Sequence, residues 1–146
     1  MGYAIVALTM VLMLVTDSIT AVDSVKQQLQ REALAAELLA SDMLRTANAV
    51  NDWQYSRAVL PEGTLDLTQF SLSTAPDHRI NAAMLNGRLW VWTADQQGLR
   101  PTLMRLSSGS ALALSVTGGH LLMSDGVDMN LSLPAGVAEG NVVYLN

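Results

Sequence analysis

The 146-residue chain has no cysteine, which removes disulfide frameworks, thiolate metal sites and cysteine nucleophiles from consideration. That absence leaves the compartment open, because a periplasmic protein can use disulfides without needing them. Charge is scarce as well: only 14% of residues are Asp, Glu, Lys or Arg while 50% are apolar, so the surplus hydrophobicity needs a place other than an ordinary soluble surface. No Lys or Arg precedes Lys26, and the net charge is −5 with no basic cluster. Phosphate binding depends on clustered Lys and Arg, so a nucleic-acid partner is excluded. Glycine and proline are both missing between Gly2 and Pro61, and nothing in that span interrupts a helix.

What is present begins with an uncharged run over residues 1–16, in which Thr9 is the one clearly polar residue from 3 to 15 once the amphipathic Tyr3 is set aside. A helix rising about 1.5 Å per residue needs about 20 apolar residues to cross the hydrocarbon slab. Extending this run to Val22 supplies them, with Asp17, Ser18 and Thr20 in the last turns, where polar groups meet the interface. The expectation is therefore a single-pass inner-membrane anchor over residues 1–22, with the remainder in the periplasm. The competing readings are a cleaved secretory signal ending at Ala21, which lacks the usual basic leader, and a helix buried in a core too small to cover it.

Beyond the anchor, Val22, Val25, Leu29, Ala33, Ala36, Ala40, Met43, Ala47 and Val50 recur at spacings of three and four. This predicts an amphipathic helix over residues 23–59, continuous with the anchor. The stripe either packs on the protein's own sheet or pairs with another chain, a second copy included. Residues 60–146 then change character to short runs between turn signals. Asn86 and Gly87 separate residues 79–85 from 88–93, and Asn-Gly supplies the two positive-φ positions of a type I′ hairpin turn. Leu112, Leu114 and Val116, and again Met129, Leu131 and Leu133, alternate with small or polar residues as half-buried strands do. With a closing strand over 142–145, the expected fold is α+β: a long N-terminal helix packed on an antiparallel meander of about five or six strands.

Chemistry-bearing motifs are sparse. His78 and His120 have no spaced carboxylate or cysteine partners that compose a zinc motif. Residues 125–128 (Asp-Gly-Val-Asp) lack the ligand series of a calcium loop, and Gly118 and Gly119 open no phosphate-binding helix. No cofactor or metal is expected, and no residue is nominated as catalytic. Trp90 and Trp92 share one face of their strand, where they serve either core packing under the helix or an interface. The candidate interface comprises Val22, Val25, Leu29, Ala33, Ala36, Ala40, Met43, Ala47, Trp90 and Trp92.

The uncharged opening Met-Gly-Tyr-Ala-Ile-Val-Ala-Leu-Thr-Met, the alanine-rich helix, and residues 79–92 (Arg-Ile-Asn-Ala-Ala-Met-Leu-Asn-Gly-Arg-Leu-Trp-Val-Trp) together resemble the small PilM family of plasmid-type thin (type IVb) pilus systems. The resemblance spans nearly the whole chain. It implies a non-enzymatic inner-membrane component of a pilus assembly machine used in conjugation, with other pilus assembly proteins as partners, and it carries over no functional residue. A pilin-like subunit is the alternative within the same machinery, against which stand Ile5, the absence of an early Glu and the absence of a charged leader. A periplasmic enzyme whose site is assembled from distant residues is the alternative from a different class.

Overall fold

The computed structural model describes residues 2–56, 61–70, 72–110 and 112–146, with the side chains of residues 2–9 and 11–23 outside the description. Helix α1 (Gly2–Ser56) is uninterrupted, as its lack of internal glycine and proline dictates. The chain divides into two compact units, Met1–Leu34 and Ala35–Asn146. In the first, Val25, Leu29 and Leu34 are exposed, and Gln28 Nε2 donates to Glu32 Oε1 at 2.9 Å, one turn apart on the helix surface.

The second unit packs the lower part of α1 on a six-stranded sheet whose neighbouring strands all run antiparallel. Its strands are β1 (Gly63–Thr64), β2 (Asn81–Leu85), β3 (Arg88–Ala94), β4 (Ala113–Thr117), β5 (His120–Leu122) and β6 (Asn141–Leu145), in the order β1-β2-β3-β6-β4-β5. The α+β architecture is as the sequence implies, but the sheet is not a meander. The last strand inserts between β3 and β4, pairing Trp92 with Val143 on one side and Leu114 with Val143 on the other. Val142, Val143 and Leu145 are fully buried, and an apolar run of that kind suits a central strand covered on both faces.

Pleat parity sorts the core into two clusters. On the helix side, Ala82, Met84, Leu89, Val91, Ala113 and Val142 meet Leu39, Ala40, Met43, Ala47 and Val50 of α1. On the opposite side lie Ala83, Trp90, Trp92, Leu114, Val116, Leu121, Val143 and Leu145, with Met129, Leu131, Leu133 and Val137 packed over them. Trp90 and Trp92 are therefore core residues, but on the sheet face away from the helix. The register sets this: Trp90 and Trp92 oppose Leu145 and Val143, whereas Val91 opposes Tyr144 of the helix-side cluster.

A second departure is α2 (Leu99–Leu106), which the sequence reading passed over. Gly98, at φ +80°, turns the chain into it, Pro101 falls in the first turn where its missing N–H is harmless, and Leu99 and Leu103 point into the core. Its end is set by Gly109, at φ +78°, whose N–H donates to the Met104 carbonyl at 2.7 Å. A third departure concerns residues 128–133. They form no strand: one isolated bridge joins Leu122 and Asp128, and the alternating Met129, Leu131 and Leu133 are instead half-buried side chains of an irregular segment. Alternation here served packing rather than pairing.

The expected hairpin is present. Asn86 and Gly87 adopt φ +54° and +71° between β2 and β3, and the Glu62 carboxylate accepts both of their backbone N–H groups at 3.0 and 3.2 Å. Replacing Gly87 by Val forces a β-branched residue into the left-handed region, costing about 1–2 kcal/mol. The melting temperature of G87V should fall by several degrees relative to wild type, and an unchanged value would show that the turn tolerates the strain.

Candidate interaction surface

The ten residues singled out in the sequence separate into three groups. Val25 and Leu29 are 56% and 52% exposed, and Ala33 is exposed beside them. Ala36, Ala40, Met43 and Ala47 are fully buried within the protein itself. Trp90 and Trp92 are 2% and 4% exposed on the far face of the sheet. Val22 lies among residues whose side chains are outside the description. The stripe is thus one pattern in sequence and two environments in structure, changing at Ala36.

The exposed section has a mixed edge. Val25, Leu29 and Ala33 run along α1 at spacings of four, accompanied by Lys26, Glu32 and the Gln28–Glu32 hydrogen bond. Such a face, apolar at its centre and polar at its margins, has the make-up of a helix-pairing surface. Leu34 and Leu38, which with Leu39 and Leu44 lie partly off the stripe in the sequence and broaden its apolar surface, are exposed as well, whereas Leu39 is buried.

The sequence reading also missed a groove in the second unit. Leu65, Leu67, Phe70, Leu72, Pro76 and Ile80 line an open cavity of about 520 Å³, with Asp66 and Asp77 among its polar members. Asp66 caps the short 3₁₀ turn Leu67–Gln69, accepting from the Thr68 hydroxyl and backbone N–H at 2.7 and 3.0 Å, which lower its pKa. Asp77 is held far more strongly. Arg79 donates to it through Nε at 2.9 Å and Nη2 at 2.7 Å, with the Arg79 backbone N–H adding a third bond at 3.0 Å. The guanidinium drives the Asp77 carboxyl well below the usual carboxylate range. Asp42 of α1 completes the link: it accepts the Asp77 backbone N–H at 3.2 Å and an Arg45 N–H at 3.0 Å.

These polar groups tie loops to the helix and do not converge on an open point. Among the described residues no group of three His, Asp or Glu is disposed to hold a metal ion. His78 stands 3.6 Å from Asp77, and His120 Nδ1 lies 2.9 Å from Asp128 Oδ2, each at the surface.

The Asp77 contacts yield a pH-dependent prediction. Because the folded-state pKa is depressed, the stabilisation is complete above the ordinary carboxylate pKa of about 4 and fades as the pH falls below it. Asp77→Asn should therefore be less stable than wild type in urea at pH 7, and the gap should narrow at pH 3; a gap independent of pH would assign the loss to packing instead.

The match of this architecture to known proteins is direct. A family model described as PilM covers residues 10–145. The chain is also similar to a crystal structure of the protein PilM from Escherichia coli B7A, with 27% identity and a TM-score of 0.64 over 77% of this chain and 92% of that one. No curated protein matches it. With nearly its whole length covered by the family model, the chain belongs to the PilM family, the thin-pilus-related family that its sequence resembles.

Proposed function

We propose that the chain is a non-enzymatic structural component of a thin-pilus assembly machine, held at the inner membrane through residues 1–22, with residues 35–146 folded in the periplasm and the exposed stripe of α1 as its contact with other assembly proteins. The observation that carries this reading is the division of the stripe: from Ala36 onward it is consumed by the protein's own core, whereas Val25, Leu29 and Ala33 lie open. An apolar helical face left in solvent is the feature that pairing with another helix removes. Family membership supports the pilus context. Conjugation is the setting that the family resemblance implies.

The anchor rests on the sequence alone. Among the described residues no helix is long and apolar enough to cross a membrane, and the uncharged run falls on side chains outside the description. Cell fractionation with protease accessibility tests it: the mature protein should retain residues 1–22, resist extraction by salt, and expose residues 35–146 on the periplasmic side. Cleavage after Ala21 or release by salt would overturn the anchor.

The contact surface is tested by charge. Val25→Glu and Leu29→Glu together should leave the melting temperature of the domain unchanged while abolishing piliation and crosslinks to other assembly proteins. By contrast, Ala36→Glu and Ala40→Glu place carboxylates at fully buried positions, where an unpaired charge is not tolerated, and should unfold the domain. Full piliation by the Val25 and Leu29 double variant would remove the stripe from the proposal, and normal piliation in cells lacking the protein would remove the assembly role.

A further inference from the structure

Residues 123–140 cross the sheet face that holds Trp90 and Trp92 without forming a strand or helix of their own. A segment of this length without secondary structure inside a compact domain is uncommon, and such segments serve disproportionately as lids or binding loops. Its attachment is lopsided. At one end the Met129 N–H donates to the Leu121 carbonyl at 2.8 Å, and His120 Nδ1 meets Asp128 Oδ2 at 2.9 Å. At the other, Glu139 accepts the Gly119 N–H at 3.3 Å and the Gly140 N–H donates to the Val116 carbonyl at 3.1 Å. Both ends are therefore fastened to the β4–β5 hairpin, and the Gly140 carbonyl also accepts the Asp95 N–H at 2.9 Å, just beyond the end of β3.

Between these points the segment is held by side chains. Among the described residues the backbone N–H bonds of 130–138 stay local: Asn130 to Asp128, Val137 to Pro134, and Ala138 to the Asn141 side chain. Met129, Leu131, Leu133 and Val137 are each only partly buried, while Trp90, Trp92, Leu114, Val116 and Val143 beneath them are buried. The cover is one side chain thick. It also lies tightly: a Cβ on Gly136 would stand 3.3 Å from Trp92 Cζ2. Trp90 Nε1, enclosed below it, has no acceptor among the described residues, an arrangement that costs free energy while the cover is closed.

We propose that residues 123–140 form a strap that opens as one unit over the Trp90–Trp92 face while the sheet stays intact, held at its ends by the β4–β5 hairpin and by the bond from Asp95 to Gly140. Opening removes few backbone bonds, all near the ends of the segment, exposes the indole N–H of Trp90, and leaves every strand pair of the sheet in place. A segment with few buried contacts and few long-range backbone bonds is the one expected at the low-stability end of a domain.

The absence of cysteine makes the test clean. Leu122 and Asp128 face each other across the isolated bridge. The flanking bonds, Met123 N–H to Val127 O and Met129 N–H to Leu121 O, mark them as a non-hydrogen-bonded pair, the close spacing that a disulfide accepts. In a Trp53→Phe background, so that fluorescence reports Trp90 and Trp92, Leu122→Cys and Asp128→Cys should give severalfold less acrylamide quenching when oxidised than when reduced. Hydrogen exchange on the full wild-type chain should show 123–140 exchanging faster than β3 and β6. If the cysteine pair fails to fold, Glu139→Ala should raise quenching without lowering the melting temperature of the sheet. Equal, low quenching in the oxidised and reduced forms, or exchange of 123–140 only together with the sheet, would overturn the strap.

Discussion

The packing of the alanine-rich part of α1 on the inner face of the sheet is the contact on which the folded domain depends. Ala36, Ala40 and Ala47 add little apolar area themselves: Ala40 and Ala47 join the core cluster against the sheet, while Ala36 lies beside Gly98, where an added Cβ would stand 3.7 Å from its own. The area is supplied from the other side, by Leu89, Val91, Met84 and Phe70, and on the helix itself by Met43 and Val50. Burying each of the larger side chains contributes about 1.5–3 kcal/mol. The register of the helix is set by the same contact. Glu37 then meets Arg105 of α2 at 3.1 Å, and Asp42 reaches the backbone of Asp77. A small rotation of α1 would turn those carboxylates toward apolar side chains and break both links.

A sheet buried on one face alone would have an alternating, half-polar central strand. Here β6 is apolar on both faces, so a second cover is required, and α2 cannot supply it because Leu99 and Leu103 belong to the helix side. The cover comes from residues 123–140. This explains why two large aromatic side chains fit on the side away from the helix: the flat indoles of Trp90 and Trp92 fill a layer that no regular element occupies. Gly136 permits the backbone to lie against Trp92 where any side chain would crowd it.

Much of the fold was legible in the sequence, for identifiable reasons. The helix was readable because periodicity persisted without glycine or proline, and the β2–β3 hairpin because Asn86 and Gly87 are among the few residues that accept positive φ twice in succession. Strand order was not readable, since local alternation says which face a residue occupies and nothing about which strand lies beside it. Helix α2 was hidden by Pro101, which reads as a breaker unless the start of the helix is already known. Residues 128–133 were misread because alternation reports one-sided burial, and an irregular segment lying on a sheet produces it as well as a strand does. In the candidate surface, the sequence marked the whole stripe but could not show where the protein's own core stops using it. That boundary is a tertiary fact, fixed by the extent of the sheet.

The boundary also determines what the open part of the helix can do. Starting a helix is the costly step, because several residues must be fixed for the first hydrogen bond, whereas each further residue is nearly neutral. The core-packed turns from Ala36 to Val50 supply the start, and helix can extend from them through Ala33, Leu29 and Val25 at little cost, though with little gain. Such a section is ordered enough to present its apolar seam in register, yet has no tertiary burial of its own to protect it. A partner helix would find the backbone already arranged and would have mainly side chains to order, so more of its burial energy is retained as affinity. The buried alanines of the stripe, from Ala36 onward, belong to the domain's own packing, whereas Val25 and Leu29 are exposed and are the side chains that the proposed contact would use.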